Sequence, residues 1–360
     1  MPARVRFICG WNGTKQVETM LIADAHLDLA MNALNYNRNL ELPVSEIRAA
    51  EGGGTGTVSF PAMRKGKVAL CAATLFARTA RPERGQSGGA SREISHAQAQ
   101  GQLAYYRVLE AQGKMRIMRS ADDLQTHLAD WEARGAEAPV GAVVAMEGAD
   151  PIVSPEQAAE WYESGLRALS LAHYGVSAYA HGTGADGGLT ELGKPLLREM
   201  ERLGIVLDVT HLSDRSFWEA LDAYGGHVHA SHSNCRALAP GVRQIDDDQI
   251  RALAERGGVV GAALDSEMLM PDWKPKMRAS IDDVVHHIDR VCQIAGSSEH
   301  AGIGSDLDGG FGRERIPRGI DTIADLPKIV HRLQERGYSE QDAENVAYGN
   351  WLRFFTNAWS

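Results

Sequence analysis

The chain has 360 residues, of which 44% are hydrophobic and 23% are charged, a composition typical of a globular protein with a large core. Its 37 basic and 47 acidic residues leave a formal charge of -10, which argues against partners such as nucleic acid or an anionic membrane, since both need a basic surface. Four cysteines lie far apart without a Cys-x-x-Cys pair, which indicates buried thiols and not a disulfide framework.

The first 20 residues show no pattern of their own, and we interpret them as an N-terminal tail ahead of the folded domain. They contain neither a long apolar run nor a cleavage site of the secretory type. No apolar run in the sequence approaches the roughly 20 residues that a membrane-spanning helix needs. The sequence therefore predicts a cytoplasmic protein without a membrane partner.

Eight short apolar runs are predicted strands. Several are continuously apolar or rich in β-branched residues, as is typical of parallel strands that are covered on both faces. They lie at residues 21–26, 67–75, 140–147, 166–172, 204–210, 227–231, 258–263 and 301–305.

Helical patterns lie between these strands and often end at a glycine, which is a helix-stop signal. They occupy residues 95–112, 120–134, 154–163, 192–203, 213–224, 247–256 and 280–295, and a closing helix is predicted at residues 339–355. Strand–helix alternation repeated eight times predicts an α/β fold, a (β/α)8 TIM-type barrel, as a single domain over residues 21–360.

Two stretches interrupt the alternation. Residues 32–56 are polar and contain a predicted mobile loop at residues 51–54, and residues 78–92 are rich in Gly, Arg and Ser. Both follow predicted strand ends, so we expect them on the catalytic rim of the barrel. There they either form a lid over the site or are surface insertions without a role.

Candidate metal ligands stand where predicted strands end. The carboxyl ends of parallel barrel strands open onto one rim, so residues far apart in sequence can converge there. Histidine is a common zinc ligand, and a carboxylate at the end of an apolar strand is costly to bury unless it is paired or coordinated. The residues at these ends are His26, Asp28, Glu147, His211 and His232.

Asp306 lies among glycines after the last predicted strand, beside the first strand, and can reach the same rim. Asp308 is the weaker candidate, because Asp-Gly pairs usually form turns. Together with the ligand candidates, Asp306 makes the chain interpretable as a metal-dependent hydrolase.

Other polar residues favour structural roles. His286 and His287 lie in a helical stretch, and residues 246–248 are three aspartates that suit a helix N-terminus better than a metal site. His227 and His229 alternate along their strand so that they should face away from the candidate ligands.

Seven motifs carry a family resemblance: Asp24-Ala25-His26-Leu27-Asp28, Met146-Glu147-Gly148, Leu171-Ala172-His173, Asp208-Val209-Thr210-His211, Ser231-His232-Ser233-Asn234, Arg236-Ala237-Leu238 and Gly304-Ser305-Asp306-Leu307-Asp308-Gly309. In combination they resemble the renal or membrane dipeptidase family of metallopeptidases, family M19, one of the amidohydrolase-like barrels. The resemblance extends from about Ile22 to Phe355.

The resemblance implies two zinc ions in each subunit. His26 and Asp28 would hold one zinc, His211 and His232 would hold the other, and Glu147 would bridge them. Other divalent metals suit the same ligands. The implied partner is a small-molecule substrate, a dipeptide that includes forms with a D-residue at the C-terminal position, and the implied assembly is a homodimer.

The resemblance also implies catalytic and substrate-binding roles. Asp306 would take a proton from the bridging water and pass it to the leaving amine. His173 would steady the oxyanion, with its neighbour Tyr174 on the substrate side. Arg236 would pair with the C-terminal carboxylate of the substrate, a task suited to a planar guanidinium.

The chain departs from the family pattern at the substrate wall. Residues 172–174 are Ala-His-Tyr where the family often has Thr-His-Asn, and Arg243-Gln244 stands where the family often has Arg-Asn. Residues 263–266, Ala-Leu-Asp-Ser, replace an Asn-Phe-Tyr-type segment whose tyrosine contacts substrate. The ligand set is therefore intact, and the identity of the substrate does not follow from the resemblance.

Two alternatives to a dipeptidase remain open from the sequence. One keeps the chemistry and changes the substrate to an N-acyl amino acid, a lactam or lactone, or a xenobiotic amide. The other is a barrel that binds a small molecule without turning it over, since a fold alone does not set function. The complete ligand set argues against this second alternative.

Overall fold

The computed structural model describes residues 21–80 and 87–360, so the predicted tail at residues 1–20 lies outside the described residues. Its described part contains a sheet in which every strand pairing is parallel. The strands are β1 Ile22–Leu27, β2 Val68–Leu75, β3 Met115–Ile117, β4 Val140–Met146, β5 Leu166–Ser170, β6 Val206–Asp208, β7 Val228–His229, β8 Val260–Ala262 and β9 Ala301–Ile303.

Eight of these strands form a nearly closed barrel in the order β7-β6-β5-β4-β2-β1-β9-β8. The first and last strands of that order meet at one parallel bridge between Ala230 and Val260, which we call the β7–β8 seam. There Ala230 N–H donates to the Val259 carbonyl at 3.0 Å, and Gly261 N–H donates to the Ala230 carbonyl at 2.8 Å. The predicted barrel of eight parallel strands is confirmed. The three-residue β3, which pairs with β4 beside the ring, was not predicted.

The helices cover the outside of the sheet and its two ends, and none in residues 21–80 and 87–360 has the length and apolarity to cross a bilayer. The α-helices of these ranges are α1 Leu29–Asn35, α2 Val44–Ala50, α3 Phe60–Lys65, α4 Arg92–Ala111, α5 Ala121–Arg134, α6 Ala158–Glu163, α7 Gly193–Leu203, α8 Asp214–Ala223, α9 Asp247–Glu255, α10 Ser266–Leu269, α11 Ile281–Ala295, α12 Pro327–Glu335, α13 Glu340–Glu344 and α14 Asn350–Ala358.

The predicted closing helix at residues 339–355 consists of three parts. α13 passes into a π-helical turn at Asn345–Gly349, and α14 follows it. A π-turn widens the helix by one residue, so a pattern of uniform period does not reveal it.

Side chains cap the N-termini of several helices. The Ser120 side chain accepts from Asp123 N–H at the start of α5. Asp246 and Gln249 form a reciprocal capping box at the start of α9. The aspartates at residues 246–248 therefore stabilise a helix N-terminus, as predicted.

His229 lies in the aromatic packing of α14 and not in the rim site. Its ring centroid lies 5.2 Å from that of Phe354 and 5.5 Å from that of Trp351. His227 packs 6.0 Å from Phe354. The predicted packing role of both histidines is confirmed.

The segment at residues 32–56 is more ordered in the structure than its polar sequence predicts, because it contains the end of α1 and all of α2. The predicted mobile loop at residues 51–54 begins at Glu51, whose Oε1 lies 2.5 Å from Arg38 Nε. Asp308 fixes the backbone that follows this segment. Its carboxylate accepts hydrogen bonds from Thr57 N–H, the Thr57 hydroxyl and Val58 N–H. Asp308 is therefore a structural residue of the rim.

We expect Gly302→Ala to lower the free energy of unfolding by about 1–3 kcal/mol, as is usual when a packed core receives an extra methyl group. A Cβ on Gly302 of β9 would lie 2.3 Å from Nε1 of the buried Trp351, which donates to the Ile303 carbonyl. Urea unfolding measures the effect. Gly101→Ala is the matched control: Gly101 lies within α4 with nothing near its added Cβ, so that change should stabilise the protein by about 0.5–1 kcal/mol. A neutral Gly302→Ala would contradict the packing described here.

Candidate metal centre

A cavity of about 960 Å³ opens at the carboxyl ends of the strands. Its size is that of pockets which enclose small molecules. Both interrupting segments contribute to its rim, Tyr36 from one and Arg78 from the other. The predicted site residues that line it are Asp28, Glu147, His173, Tyr174, His211 and Asp306.

The Glu147 carboxylate, directly after β4, is the centre of the cluster at the base of the cavity. Its Oε1 lies 3.0 Å from His211 Nε2 and 3.2 Å from His232 Nε2. The same oxygen lies 3.9 Å from His26 Nε2. The structure thus brings together ligand candidates from the ends of β1, β4, β6 and β7.

Three overlapping groups in the described residues have the composition of a metal-binding site. Within each group the potential ligand atoms lie within 4.8 Å of one another, and every member is buried. Shared members join the groups, as in a centre that holds more than one cation. The groups are His26, Asp28 and Glu147; Glu147, His211 and His232; and His26, His232 and Asp306.

Each imidazole of the cluster is fixed through its Nδ1 atom by a hydroxyl group. This contact leaves Nε2 directed at the cluster, and hydrogen bonds of this kind orient histidines that bind metals. The pairs are His26 with Thr74 at 3.4 Å, His211 with Thr183 at 3.1 Å and His232 with Ser231 at 2.8 Å.

The buried polar atoms of the cluster fit a cation. Within the described part of the chain, His26 Nε2 and Asp28 Oδ1 are buried without a hydrogen-bond partner. An orphaned buried nitrogen and an orphaned carboxylate oxygen would be expensive in a site that held no ion. Imidazole and carboxylate donors suit zinc, and they also bind manganese or iron.

The electrostatics of the cluster agree with this fit. Burial raises the pKa of Glu147 to about 7 and raises the pKa of Asp306 well above its ordinary value. Burial lowers the pKa of His211 and His232 well below the ordinary value. At His26 burial acts in the same direction, but Glu147 and the other carboxylates outweigh it and raise the pKa to about 10. Carboxylates crowded beside His26 and beside the neutral imidazoles of His211 and His232 form a site that a bound cation would stabilise.

Two site residues have a left-handed backbone. His211 has φ 69° and Asp306 has φ 56°, a region that side chains other than Gly, Asn and Asp rarely adopt. An aspartate tolerates this conformation, so the strain lies at His211, where the surrounding structure fixes a candidate functional side chain.

Of two arginines between β7 and α9, one lines the cavity and the other does not. Arg236 lies outside the cavity lining: its guanidinium pairs with Asp214 at 2.6 Å and donates to the Gln244 carbonyl at 2.7 Å. Arg243 lines the cavity, and it donates to the His232 carbonyl at 2.7 Å. The structure therefore places Arg243, and not Arg236, at the cavity wall. The role of an arginine in binding the substrate carboxylate stays a prediction.

An ion cluster forms the cavity wall after β8. Arg315 Nε donates to Asp265 at 3.0 Å, and Arg315 Nη2 lies 2.5 Å from Glu267 Oε2. The Arg315 guanidinium also lies 5.0 Å from the Trp273 ring centroid and 5.7 Å from that of Phe311. Arg315 is 50 positions from Asp265, and no local pattern in the sequence predicts that the two residues meet.

Solved structures of metallopeptidases share the fold of this chain. A metallopeptidase of family M19, dipeptidase AC, superimposes with a TM-score of 0.80 and 24% identity, over 95% of this chain and 99% of that chain. A metallopeptidase from Rhodobacter sphaeroides, solved with a phosphinate mimic of the dipeptide L-Ala-D-Ala, gives a TM-score of 0.78 and 24% identity, over 95% of this chain and 100% of that chain.

Sequence comparison identifies the family. An uncharacterised Klebsiella pneumoniae protein from the pqqA 5' region is 30% identical over 272 residues, which are 72% of this chain and 95% of that protein. An uncharacterised dipeptidase of Schizosaccharomyces pombe is 30% identical over 59% of this chain and 52% of its own length. The sequence profile of membrane dipeptidases, peptidase family M19, matches residues 14–359. The chain therefore belongs to the membrane dipeptidase family and is a metal-dependent hydrolase.

Proposed function

We propose that the protein is a zinc dipeptidase that hydrolyses the peptide bond of a dipeptide and accepts a D-residue at the C-terminal position. The observation that carries the proposal is the buried cluster around Glu147 at the base of a cavity whose wall holds Arg243. The solved R. sphaeroides relative with a mimic of L-Ala-D-Ala supports the stereochemical part.

Five residues would hold the metal ions. His26 and Asp28 would bind one ion, His211 and His232 would bind a second, and Glu147 would contact both. When bound, a pair of divalent cations lowers the pKa of a water molecule so that hydroxide is available near neutral pH.

Asp306 is the proposed general acid–base residue. Its Oδ1 lies 3.7 Å from His26 Nε2, so the carboxylate stands at the edge of the ligand cluster. Burial raises its pKa well above the ordinary value, which helps a carboxyl group to accept a proton and then to donate it. Asp306 takes the proton of the attacking water and delivers it to the leaving nitrogen.

His173 is the proposed donor to the oxyanion that forms when the scissile carbonyl is attacked. It lies on the loop after β5, and its Nε2 is 3.8 Å from Glu147 Oε1. Its ring packs at 4.2 Å from that of His211 and at 4.9 Å from that of Tyr174, which also lines the cavity. A donor fixed in this way stabilises negative charge that develops in the transition state.

Arg243 is the proposed anchor for the C-terminal carboxylate of the substrate. Contacts to the His232 carbonyl at 2.7 Å and to Ser233 Oγ at 3.4 Å fix its guanidinium at the cavity wall. A fixed guanidinium pairs well with a carboxylate and sets the distance from that carboxylate to the scissile bond.

We expect Arg243→Met to raise KM for a dipeptide by roughly 10- to 100-fold, because hydrogen bonds to charged groups contribute about 1.5–3 kcal/mol. Arg236→Met is the matched control and should leave KM within about twofold, since its side chain contacts Asp214 and not the cavity. Steady-state kinetics on one dipeptide measures both. A larger effect at Arg236 than at Arg243 would return the carboxylate role to Arg236.

The altered wall favours one alternative function. The cluster of Arg315, Asp265 and Glu267 presents charge where the family often has a tyrosine. The same metal centre would then act on a substrate other than a dipeptide, such as an N-acyl amino acid, a lactam, a lactone or a xenobiotic amide.

A substrate panel tests the proposal. Zinc-loaded protein is incubated with L-Xaa-L-Xaa dipeptides, L-Xaa-D-Xaa dipeptides and N-acyl amino acids, and the products are identified by mass spectrometry. Cleavage of dipeptides in both stereochemical sets is the expected result. Cleavage confined to N-acyl amino acids, by protein that carries two metal ions, would refute the dipeptidase and favour the alternative.

A further inference from the structure

Arg78 contacts the imidazole of His173 on the side that faces away from the metal cluster. Its Nη1 lies 3.2 Å from His173 Nδ1. The two residues are 95 positions apart, and Arg78 belongs to the segment of residues 78–92 that interrupts the barrel alternation.

The chemistry of this contact determines which nitrogen of the His173 imidazole carries the proton. A guanidinium has five N–H donors and no acceptor, so a hydrogen bond between Arg78 and Nδ1 requires Nδ1 to be the acceptor. In a neutral imidazole the other nitrogen then carries the proton. The atom that faces the cavity is therefore Nε2–H, a donor.

Arg78 is itself held in place. Its Nε donates to the Ser87 carbonyl at 3.0 Å, and its guanidinium lies 5.6 Å from the ring centroid of Phe76. Phe76 in turn packs edge-on against His173, with ring centroids 4.8 Å apart. Arginine and imidazole thus share one aromatic neighbour, which restricts their relative movement.

The backbone of Phe76 is fixed by Gln102 of α4. The Gln102 carbonyl oxygen accepts from Phe76 N–H at 2.7 Å, and its amide nitrogen donates to the Phe76 carbonyl at 2.7 Å. Gln102 is buried. The position of the Arg78 backbone, two residues later, is therefore set from the barrel wall.

We infer that Arg78 is a positioning residue that holds His173 as its Nε2–H tautomer, so that the imidazole presents a hydrogen-bond donor and not an acceptor to the reacting carbonyl. The inference rests on the proposed function for the role of that donor. The tautomer itself does not depend on the substrate.

The tautomer is measured by NMR on metal-loaded protein labelled with 15N-histidine, with the His173 signals assigned by comparison with His173→Gln. In the wild type, Nδ1 of His173 is expected at a shift of the unprotonated type and Nε2 at one of the protonated type. Arg78→Lys keeps a donor and should keep this pattern. Arg78→Glu supplies only acceptors and should reverse it, and Arg78→Met should give a mixture.

Kinetics tests the consequence for the reaction. Arg78→Met should lower kcat at least about fivefold with KM little changed, and by less than the about 10²- to 10³-fold expected when an oxyanion donor is removed outright. Arg78→Lys should restore part of the loss. Arg313→Met is the control, because Arg313 is an exposed rim arginine whose nearest carboxylate is Asp321 at 3.7 Å.

The outcomes separate this inference from the proposed function. A wild-type His173 protonated at Nδ1, or an unchanged pattern in both Arg78→Met and Arg78→Glu, would refute the inference. A reversed tautomer in Arg78→Glu with unchanged kcat would confirm that Arg78 sets the tautomer and would remove His173 from the proposed mechanism.

Discussion

Replacement of Asp306 by asparagine should lower kcat by about 10³-fold, within the range expected for loss of a general acid–base group, and should leave the metal content near that of the wild type. Asparagine has nearly the same shape and tolerates the left-handed backbone found at this position, where φ is 56°. The substitution therefore removes the carboxyl group that accepts and releases a proton, with little change to the fold. Steady-state kinetics and metal analysis of the purified variant measure the two effects.

Asp308→Asn is the matched control for this prediction. Asp308 lies two residues away, also has a positive φ, and accepts hydrogen bonds from Thr57 and Val58. Its replacement should lower the stability of the rim while kcat falls far less than in Asp306→Asn. If Asp306→Asn instead binds about one metal ion fewer than the wild type, Asp306 is a ligand, as its group with His26 and His232 would allow.

Glu147→Gln should abolish the binding of at least one metal ion and reduce turnover to the background of the assay. Glu147 Oε1 lies 3.0 Å from His211 Nε2 and 3.2 Å from His232 Nε2. An amide removes the negative charge and one of the two oxygen donors, so a cation loses its most central ligand. Metal analysis after dialysis against zinc measures the loss.

Thermal unfolding gives a second measurement for the same change. A ligand that binds only the folded state stabilises it by about 2.7 kcal/mol at a concentration 100 times its Kd, so added zinc should raise the Tm of the wild type. The Tm of Glu147→Gln should respond much less. Glu163→Gln, at an exposed position of α6, should behave like the wild type. Two retained metal ions in Glu147→Gln would show that this carboxylate is not a required ligand.

The convergence of the candidate ligands was predictable because it depends on the parallel strands alone. Each of four candidate ligands follows a short apolar run: His26, Glu147, His211 and His232. Parallel strands in a barrel end at one rim, and this does not depend on the conformation of the loops. The eight strands of the ring and the helix N-terminus at residues 246–248 were predictable because each depends on a local pattern.

The choice between Arg236 and Arg243 was not predictable from spacing. The chain turns back between these residues, with Arg236 N–H donating to the Ile245 carbonyl at 2.8 Å and Ile245 N–H donating to the Asn234 carbonyl at 3.1 Å. This turn brings Arg243 to the cavity and leaves Arg236 beside Asp214. Only the folded conformation of the segment between Arg236 and Arg243 shows which guanidinium reaches the cavity.

Short elements were missed for a related reason. β3 has three residues, Met115–Ile117, and its stability comes from pairing with β4 and not from a pattern of its own. The contact between Arg78 and His173 joins two loops across 95 positions, and no local sequence signal accompanies it.

The β7–β8 seam couples the strand end that carries His232 to the segment that forms the altered wall. Besides the bridge at Ala230, Ser233 N–H donates to the Gly261 carbonyl at 2.8 Å, and the Asn234 side chain exchanges hydrogen bonds with the backbone of Ala263 at 3.0 and 3.2 Å. β8 then leads into the ion cluster of Asp265, Glu267 and Arg315. Natural variation or directed evolution toward new substrates should therefore conserve Asn234 and change the side chains of the ion cluster, because a shift of the backbone after β8 would reach the residues beside His232.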